Sequence, residues 1–279
     1  MIFKGIWPTM VTPFKEDGQI DYNGVSELVE WYIDQGVDGI FAMCQSSEMF
    51  MLSLEERLEL TSFIIERVAG RVPIVASGHI SDDIKDQLNE LTLMAKLDIA
   101  ALILITNRFT EKDGDYKIFK EKLDYLVENL PKDMPLGFYE CPYPFSNVLT
   151  SEMVKDIVEY DRFVFLKDTS CSLTQIKKKL EVAEGSKLNI FNANSALYME
   201  SLDYGAAGFC GVMGNMHPRL YVYFEKLYKN PDLADDSIKQ ELADFISVGS
   251  CIETRTYPVC AKYYLQLSGL NIGLTTRTK

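Results

Sequence analysis

Residues 136–167 read LGFYECPYPFSNVLTSEMVKDIVEYDRFVFLK. The stretch opens on the apolar run Leu136 to Tyr139 and closes on a second, Phe163 to Lys167. Both are nearly continuous in apolar residues, the pattern of strands buried on both faces. Between them, Thr150 with Met153 marks a helix start. A strand, a helix and a second strand in that order form one βα period and imply a parallel pair.

The same period repeats on either side. Strands are expected at Gly5 to Val11, Gly39 to Met43, Pro73 to Ser77, Ala100 to Ile105, Leu188 to Asn192 and Gly208 to Val212. With the first two these make eight, the number that closes a (β/α)₈ TIM barrel, an α/β fold. The intervening segments carry apolar residues at three and four spacing, such as Leu54, Leu58, Phe63 and Ile65, or Phe119, Leu123, Leu126 and Leu130. Ser53 with Glu56 makes a capping box, and Ser81 or Asp82 is expected to cap the next helix. The Lys177, Lys178, Lys179 run reads as a solvated helix face. After Val212 only helical patterns remain: Pro218 to Tyr228, Leu233 to Val248 and Val259 to Leu267. The expected division is residues 1–217, with the strands and most helices, and 218–279, the last barrel helix and a small helical extension, packed as one domain.

With 279 residues, 47% of them hydrophobic, the chain is long enough for a large core. Its formal charge of −13 argues against nucleic acid as partner, because such binding rests on Lys and Arg neutralising phosphates. No apolar run is long enough to span a membrane, and the N-terminal stretch lacks the pattern of a signal peptide. A cytoplasmic protein is expected. Six cysteines without paired spacing fit reduced thiols, and the two histidines, His79 and His217, share no ligand spacing. Neither a metal nor another cofactor is expected.

In a barrel of this kind the chemistry sits at the C-terminal ends of the strands. Lys167 ends its strand after Phe163-Val164-Phe165-Leu166, so alternation can turn its amine into the top of the barrel. Burial among apolar side chains favours the neutral, nucleophilic amine, which attacks carbonyls. The alternative is a lysine paired with Asp168 or Glu140 for structure. Tyr139 ends the preceding strand 28 positions earlier and could hold its phenol beside that amine to carry protons; the alternative is a core tyrosine. Ser46 and Ser47 lie where a strand end opens towards a helix, so hydroxyls and free N–H groups there could hold a carboxylate, or merely cap, with Glu48 bracing the loop. The spaced glycines Gly205, Gly208, Gly211 and Gly214 lack the strand–turn–helix context of a dinucleotide site and suggest close backbone approach instead.

Taken together, the opening Gly5 to Phe14, Phe138-Tyr139 with Pro142, Leu166 to Ser170 and the glycine stretch ending at Asn215 resemble the dihydrodipicolinate synthase and N-acetylneuraminate lyase family of class I, pyruvate-handling aldolases. The resemblance spans nearly the whole chain. It implies a (β/α)₈ barrel with C-terminal helices, a homotetramer built as a dimer of dimers, and catalysis without organic cofactor or metal. It places Lys167 on the Schiff-base lysine, Tyr139 on the proton-relay tyrosine, Ser46 on the second hydroxyl residue of the carboxylate loop and Cys210 where a backbone carbonyl lines the pocket.

The departures concern the rest of the site. The loop reads Cys44-Gln45-Ser46-Ser47-Glu48, with Gln45 in place of the first hydroxyl residue. Arg108, or Phe109 with a shifted gap, stands where a neighbouring subunit usually supplies a tyrosine, and Arg108 could bind a carboxylate. The arginine expected after the tyrosine in dihydrodipicolinate synthases is replaced within Tyr143-Pro144-Phe145-Ser146, and Ser195 and Ala196 replace the acids of sialic acid lyases. Catalysis is thus expected from Lys167 and Tyr139, with Gln45, Ser46, Thr169, Cys210 and Arg108 as substrate-binding candidates. The leading expectation is a carbon–carbon lyase or aldolase of pyruvate or a related 2-keto acid. Two others stay open: a Schiff-base dehydratase or hydratase of a deoxy-keto sugar acid, and a non-catalytic metabolite-binding barrel.

Overall fold

The computed structural model describes residues 3–252 and 255–278. Met1, Ile2 and Lys279, at the ends of the two expected segments, lie outside the described residues. Eight parallel strands run as β1 (Gly5–Ile6), β2 (Ile40–Met43), β3 (Ile74–Ala76), β4 (Ala101–Ile105), β5 (Leu136–Tyr139), β6 (Phe163–Asp168), β7 (Asn189–Asn192) and β8 (Gly208–Phe209). Their order is β1-β8-β7-β6-β5-β4-β3-β2. The ring closes just past β1, where Thr9 bridges Phe41 in parallel and Phe41 N–H donates to the Pro8 carbonyl at 3.0 Å. The first strand is shorter than expected because Pro8 has no N–H to give to a ladder. The last is shorter because a 3₁₀ turn begins at Val212.

Around the ring lie α1 (Tyr22–Asp34), α2 (Leu54–Val68), α3 (Ile84–Met94), α4 (Tyr116–Asn129), α5 (Ser151–Val158), α6 (Leu173–Ala183), α7 (Tyr198–Asp203) and α8 (Pro218–Lys229), followed by α9 (Asp236–Gly249) and α10 (Val259–Leu267). The Ser53–Glu56 capping box is present, and the Thr150 hydroxyl accepts from Met153 N–H. At α3 the cap is Asp83, one residue later than expected; its carboxylate accepts from Lys85 and Asp86 N–H, while Asp82 is drawn to Arg108 instead. Lys179 also departs from expectation. It lies on the inner face of α6 and is buried, because two buried carboxylates, described below, await it there.

The barrel interior beneath the strand ends is an aromatic layer. Phe165 stacks on Phe191 at 4.4 Å between centroids and meets Trp7 edge-on at 5.4 Å. Gly39 makes room for this layer, since a Cβ there would sit 2.5 Å from the Trp7 ring. The glycines near β8 serve backbone contact. A Cβ on Gly208 would lie 1.9 Å from the Gly5 carbonyl oxygen, and one on Gly211 2.5 Å from that of Ala193.

Candidate active site

Strand register decides what stands at the barrel mouth. In the β5–β6 ladder Tyr139 pairs with Lys167, and Lys167 in turn pairs with Phe191 on β7. Residues in register across a parallel pair point the same way, about 4.8 Å apart at the backbone. Lys167 is two residues above Phe165 on the same face, so it stands on the aromatic layer. Its Nζ lies 4.4 Å from the Tyr139 ring centroid and 6.0 Å from that of Phe41. Both Lys167 and Tyr139 line a cavity of about 410 Å³. Burial pushes the Tyr139 phenol well above its ordinary pKa, so it stands there as a neutral O–H group.

The residues one step along each strand point the opposite way, out of the barrel and under α6. Glu140 and Asp168, both fully buried, share the Lys179 ammonium, each at 2.5 Å. Glu140 also accepts from the N–H groups of Thr169 (2.8 Å) and Leu149 (3.0 Å), and Asp168 from the Ser170 N–H (2.9 Å). Burial, with Asp168 as a neighbouring charge, raises the Glu140 carboxyl to about 7 against the pull of Lys179. Burial also opposes the charge on Lys179, but the two carboxylates outweigh it and hold its pKa above the ordinary lysine value. The acids are therefore served by Lys179. Among the described contacts, Lys167 makes no ion pair with either.

The loop after β2 forms two 3₁₀ turns, Gln45–Ser47 and Met49–Met51, hinged on Glu48 in the left-handed region (φ 60°). The Ser47 hydroxyl is spent within the loop, accepting from Cys44 N–H at 2.8 Å and donating to the Cys44 carbonyl at 2.6 Å. Ser46 and Gln45 face the cavity. Ser46 Oγ donates to Thr9 Oγ1 at 3.1 Å. Gln45 Oε1 accepts a long bond from the Tyr139 hydroxyl (3.4 Å) and one from the Cys141 thiol (3.6 Å). Glu48 braces the loop as expected, but its partners come from the far end of the chain. Its Oε1 meets Lys262 Nζ at 2.9 Å, and Oε2 accepts from Arg277 N–H (2.7 Å) and Thr278 N–H (2.8 Å). Arg277 adds paired bonds to Glu56 at 2.7 and 2.8 Å. These bonds draw the last turns of chain across the loop, so that Thr278 becomes part of the cavity wall.

Of the seven candidate residues, Lys167, Tyr139, Gln45, Ser46 and Thr169 line this one cavity, and Arg108 and Cys210 are not among its lining. The Arg108 guanidinium turns to Asp82 Oδ1 at 2.8 Å and lies over the Phe50 ring at 5.3 Å, since a carboxylate and an aromatic face are within its reach outside the mouth. Cys210 is fully buried, which pushes its thiol up to about 12, while Gly211 and Val212 after it line the cavity. Asn194, Cys171, Tyr257, Pro258 and Thr278 line the same space, although no motif singles them out as site residues. Among the described residues, Lys167 is the only Lys, Arg, Asp or Glu in the lining. Among the described residues no group of three His, Cys, Asp or Glu is placed to hold a metal ion. None of their helices is long and apolar enough to cross a membrane.

The model of the dihydrodipicolinate synthetase family matches residues 2–278. A 4-hydroxy-tetrahydrodipicolinate synthase of Clostridium perfringens (strain 13 / Type A) is 26% identical over 273 residues, covering 98% of this chain and 90% of its own. The corresponding synthase of Thermoanaerobacter sp. (strain X514) is 27% identical over 277 residues, covering 98% and 89%. Among solved structures, a dihydrodipicolinate synthase of Bacillus anthracis superposes with a TM-score of 0.89 at 21% identity, covering 100% of this chain and 93% of that one. A prophage protein of the dihydrodipicolinic acid synthase family from E. coli K12, in complex with pyruvate, gives 0.88 at 20% identity, covering 99% and 92%. With a family match that runs almost from end to end and a barrel that superposes on its members, this chain belongs to the dihydrodipicolinate synthetase family.

Proposed function

We propose that this protein is a class I lyase or aldolase that captures pyruvate or a related 2-keto acid on Lys167 and makes or breaks a carbon–carbon bond next to the captured carbon. The observation that carries this reading is the register pairing of Tyr139 with Lys167 at the mouth of one cavity. Lys167 Nζ adds to the C2 carbonyl, and the carbinolamine loses water to give the imine. In the cleavage direction the C4 hydroxyl gives its proton to a base, the C3–C4 bonding pair moves into the protonated imine, an aldehyde leaves and an enamine remains. Protonation at C3 and hydrolysis then release the keto acid and restore the amine. The Tyr139 phenol, 4.4 Å from Nζ by its ring centroid, is the group placed to pass protons in these steps. Gln45 orients it through the 3.4 Å contact.

The family's curated members named above are synthases, and one pyruvate complex is among the structural relatives. The acceptor side of this chain favours something else. Beyond Lys167 the described lining residues include Asn194, Thr169 and Thr278 but no arginine and no acid, which suits a short uncharged aldehyde. We read the enzyme as cytoplasmic and homotetrameric, with neither metal nor organic cofactor. Six free thiols suit a reducing compartment.

The test is reduction with borohydride in the presence of pyruvate and longer 2-keto acids, followed by peptide mass analysis. The expected adduct is on Lys167 and disappears in Lys167→Ala. A panel that leaves Lys167 unmodified sinks the reading. Release of water without an aldehyde would reassign the chemistry to dehydration.

A further inference from the structure

Tyr257 lies in the helical extension, between α9 and α10, yet its ring forms part of the cavity wall. Hydrogen bonds around it determine where its proton goes. The Tyr32 hydroxyl donates to Asn215 Oδ1 at 2.6 Å, and Asn215 Nδ2 donates to the main-chain oxygen of Thr9 at 2.7 Å. A main-chain carbonyl can only accept, so the orientation of the amide follows from its partners. Nδ2 has a second hydrogen, and the Tyr257 oxygen stands 2.8 Å away, with a weaker contact to Thr9 Oγ1 at 3.3 Å. Tyr257 therefore accepts from Asn215 and must send its own hydrogen elsewhere. The Ser46 and Thr9 hydroxyls are close enough to act on its phenol, and burial keeps that phenol protonated. Ser46 and Tyr257 both open onto the cavity that holds Lys167.

We propose that Tyr257 adds a neutral O–H donor beside the Ser46 loop for the substrate carboxylate, so that the C-terminal extension completes the keto-acid site. The inference rests on the Schiff-base reading above. A carboxylate only accepts hydrogen bonds, and with no arginine in the lining among the described residues, the Tyr257 hydroxyl, held by the buried Asn215 amide, is a donor fixed in place beside Ser46. Ser46 can turn from Thr9 to the ligand by rotation about one bond.

The experiment compares borohydride trapping at Lys167 by pyruvate and by its neutral amide, pyruvamide, in the wild-type protein and in Tyr257→Phe. A hydrogen bond to a charged group contributes about 1.5–3 kcal/mol, so the half-saturating pyruvate concentration should rise roughly 10- to 100-fold. The value for pyruvamide should move about tenfold less than that for pyruvate, because its amide oxygen accepts only a neutral hydrogen bond of about 0.5–1.5 kcal/mol. Unchanged trapping by pyruvate in the variant overturns the proposal. So does an equal loss for both ketones, which would mean that Tyr257 only shapes the wall. If the wild-type protein traps neither compound, the Schiff-base reading itself falls, an outcome distinct from either of these.

Discussion

In the proposed chemistry Tyr139 and Lys167 work as a pair only while the phenol keeps its proton and its place. The first follows from burial, which holds the phenol neutral, and the second from the β5–β6 register and the Gln45 contact. Removing only the hydroxyl, in Tyr139→Phe, should leave the ring against Lys167 and capture of pyruvate largely intact. Turnover should fall by about 10²- to 10⁴-fold, the usual worth of a positioned acid–base group. Single-turnover kinetics beside equilibrium trapping would separate the two; an equal loss in both would place Tyr139 in binding rather than proton transfer. Alternation along a buried strand is a short-range rule, and for this reason the position of both side chains at the barrel mouth is legible in the amino-acid sequence. Arg108 is not, because a long flexible side chain chooses among partners that sequence does not reveal, and here Asp82 and Phe50 hold it. Tyr257, Thr9 and Asn215 meet only when the barrel closes and the extension folds onto it, so no local pattern announces them.

Elements show the same division between local and distant causes. The βα repeat places the start of every strand to within one residue, since hydrophobic period and capping are local properties. The inner face of α6 is harder to read because Lys177, Lys178 and Lys179 look alike in sequence, and only the third turns towards Glu140 and Asp168. That cluster ties α6 to the ends of β5 and β6, one residue from Tyr139 and from Lys167. Lys179→Met keeps the helix and much of the volume but leaves two buried carboxylates without a counter-ion. Breaking a buried pair in this way costs about 3–5 kcal/mol. Urea denaturation of the variant at neutral pH should show a loss of that size. Adding Glu140→Gln to Lys179→Met should restore part of it, because the folded chain then no longer has to hold a proton at residue 140 that the unfolded chain has released. A loss below about 1 kcal/mol in the single variant would mean that water reaches the cluster.

At the scale of the whole molecule, two buried groups set opposing responses to pH. His79 is fully buried, donating from Nδ1 to Gln87 Oε1 (3.1 Å) while Nε2 accepts from Ile105 N–H at 2.7 Å. An acceptor Nε2 cannot carry a proton, and burial lowers the pKa to about 4 from 6.5. The unfolded chain therefore binds a proton that the folded chain refuses between those values, and stability is lost as pH falls from about 6.5 to 4. Glu140 behaves in the opposite sense. Its pKa is raised to about 7 from 4.5, so the folded chain holds a proton that the unfolded chain has released, and stability is lost as pH rises from about 4.5 to 7. Each shift corresponds to about 3 kcal/mol, and over the shared window the two slopes nearly cancel. The groups share no hydrogen-bond partner among the described residues, so their effects should separate. Relative to wild type at each pH, Glu140→Gln should gain about 3 kcal/mol as pH rises from about 4.5 to 7, and His79→Gln should lose about as much from about 4 to 6.5. Urea titrations of the three proteins across this range give the differences directly, and curves that stay parallel would remove both groups from the account of how this barrel responds to acid.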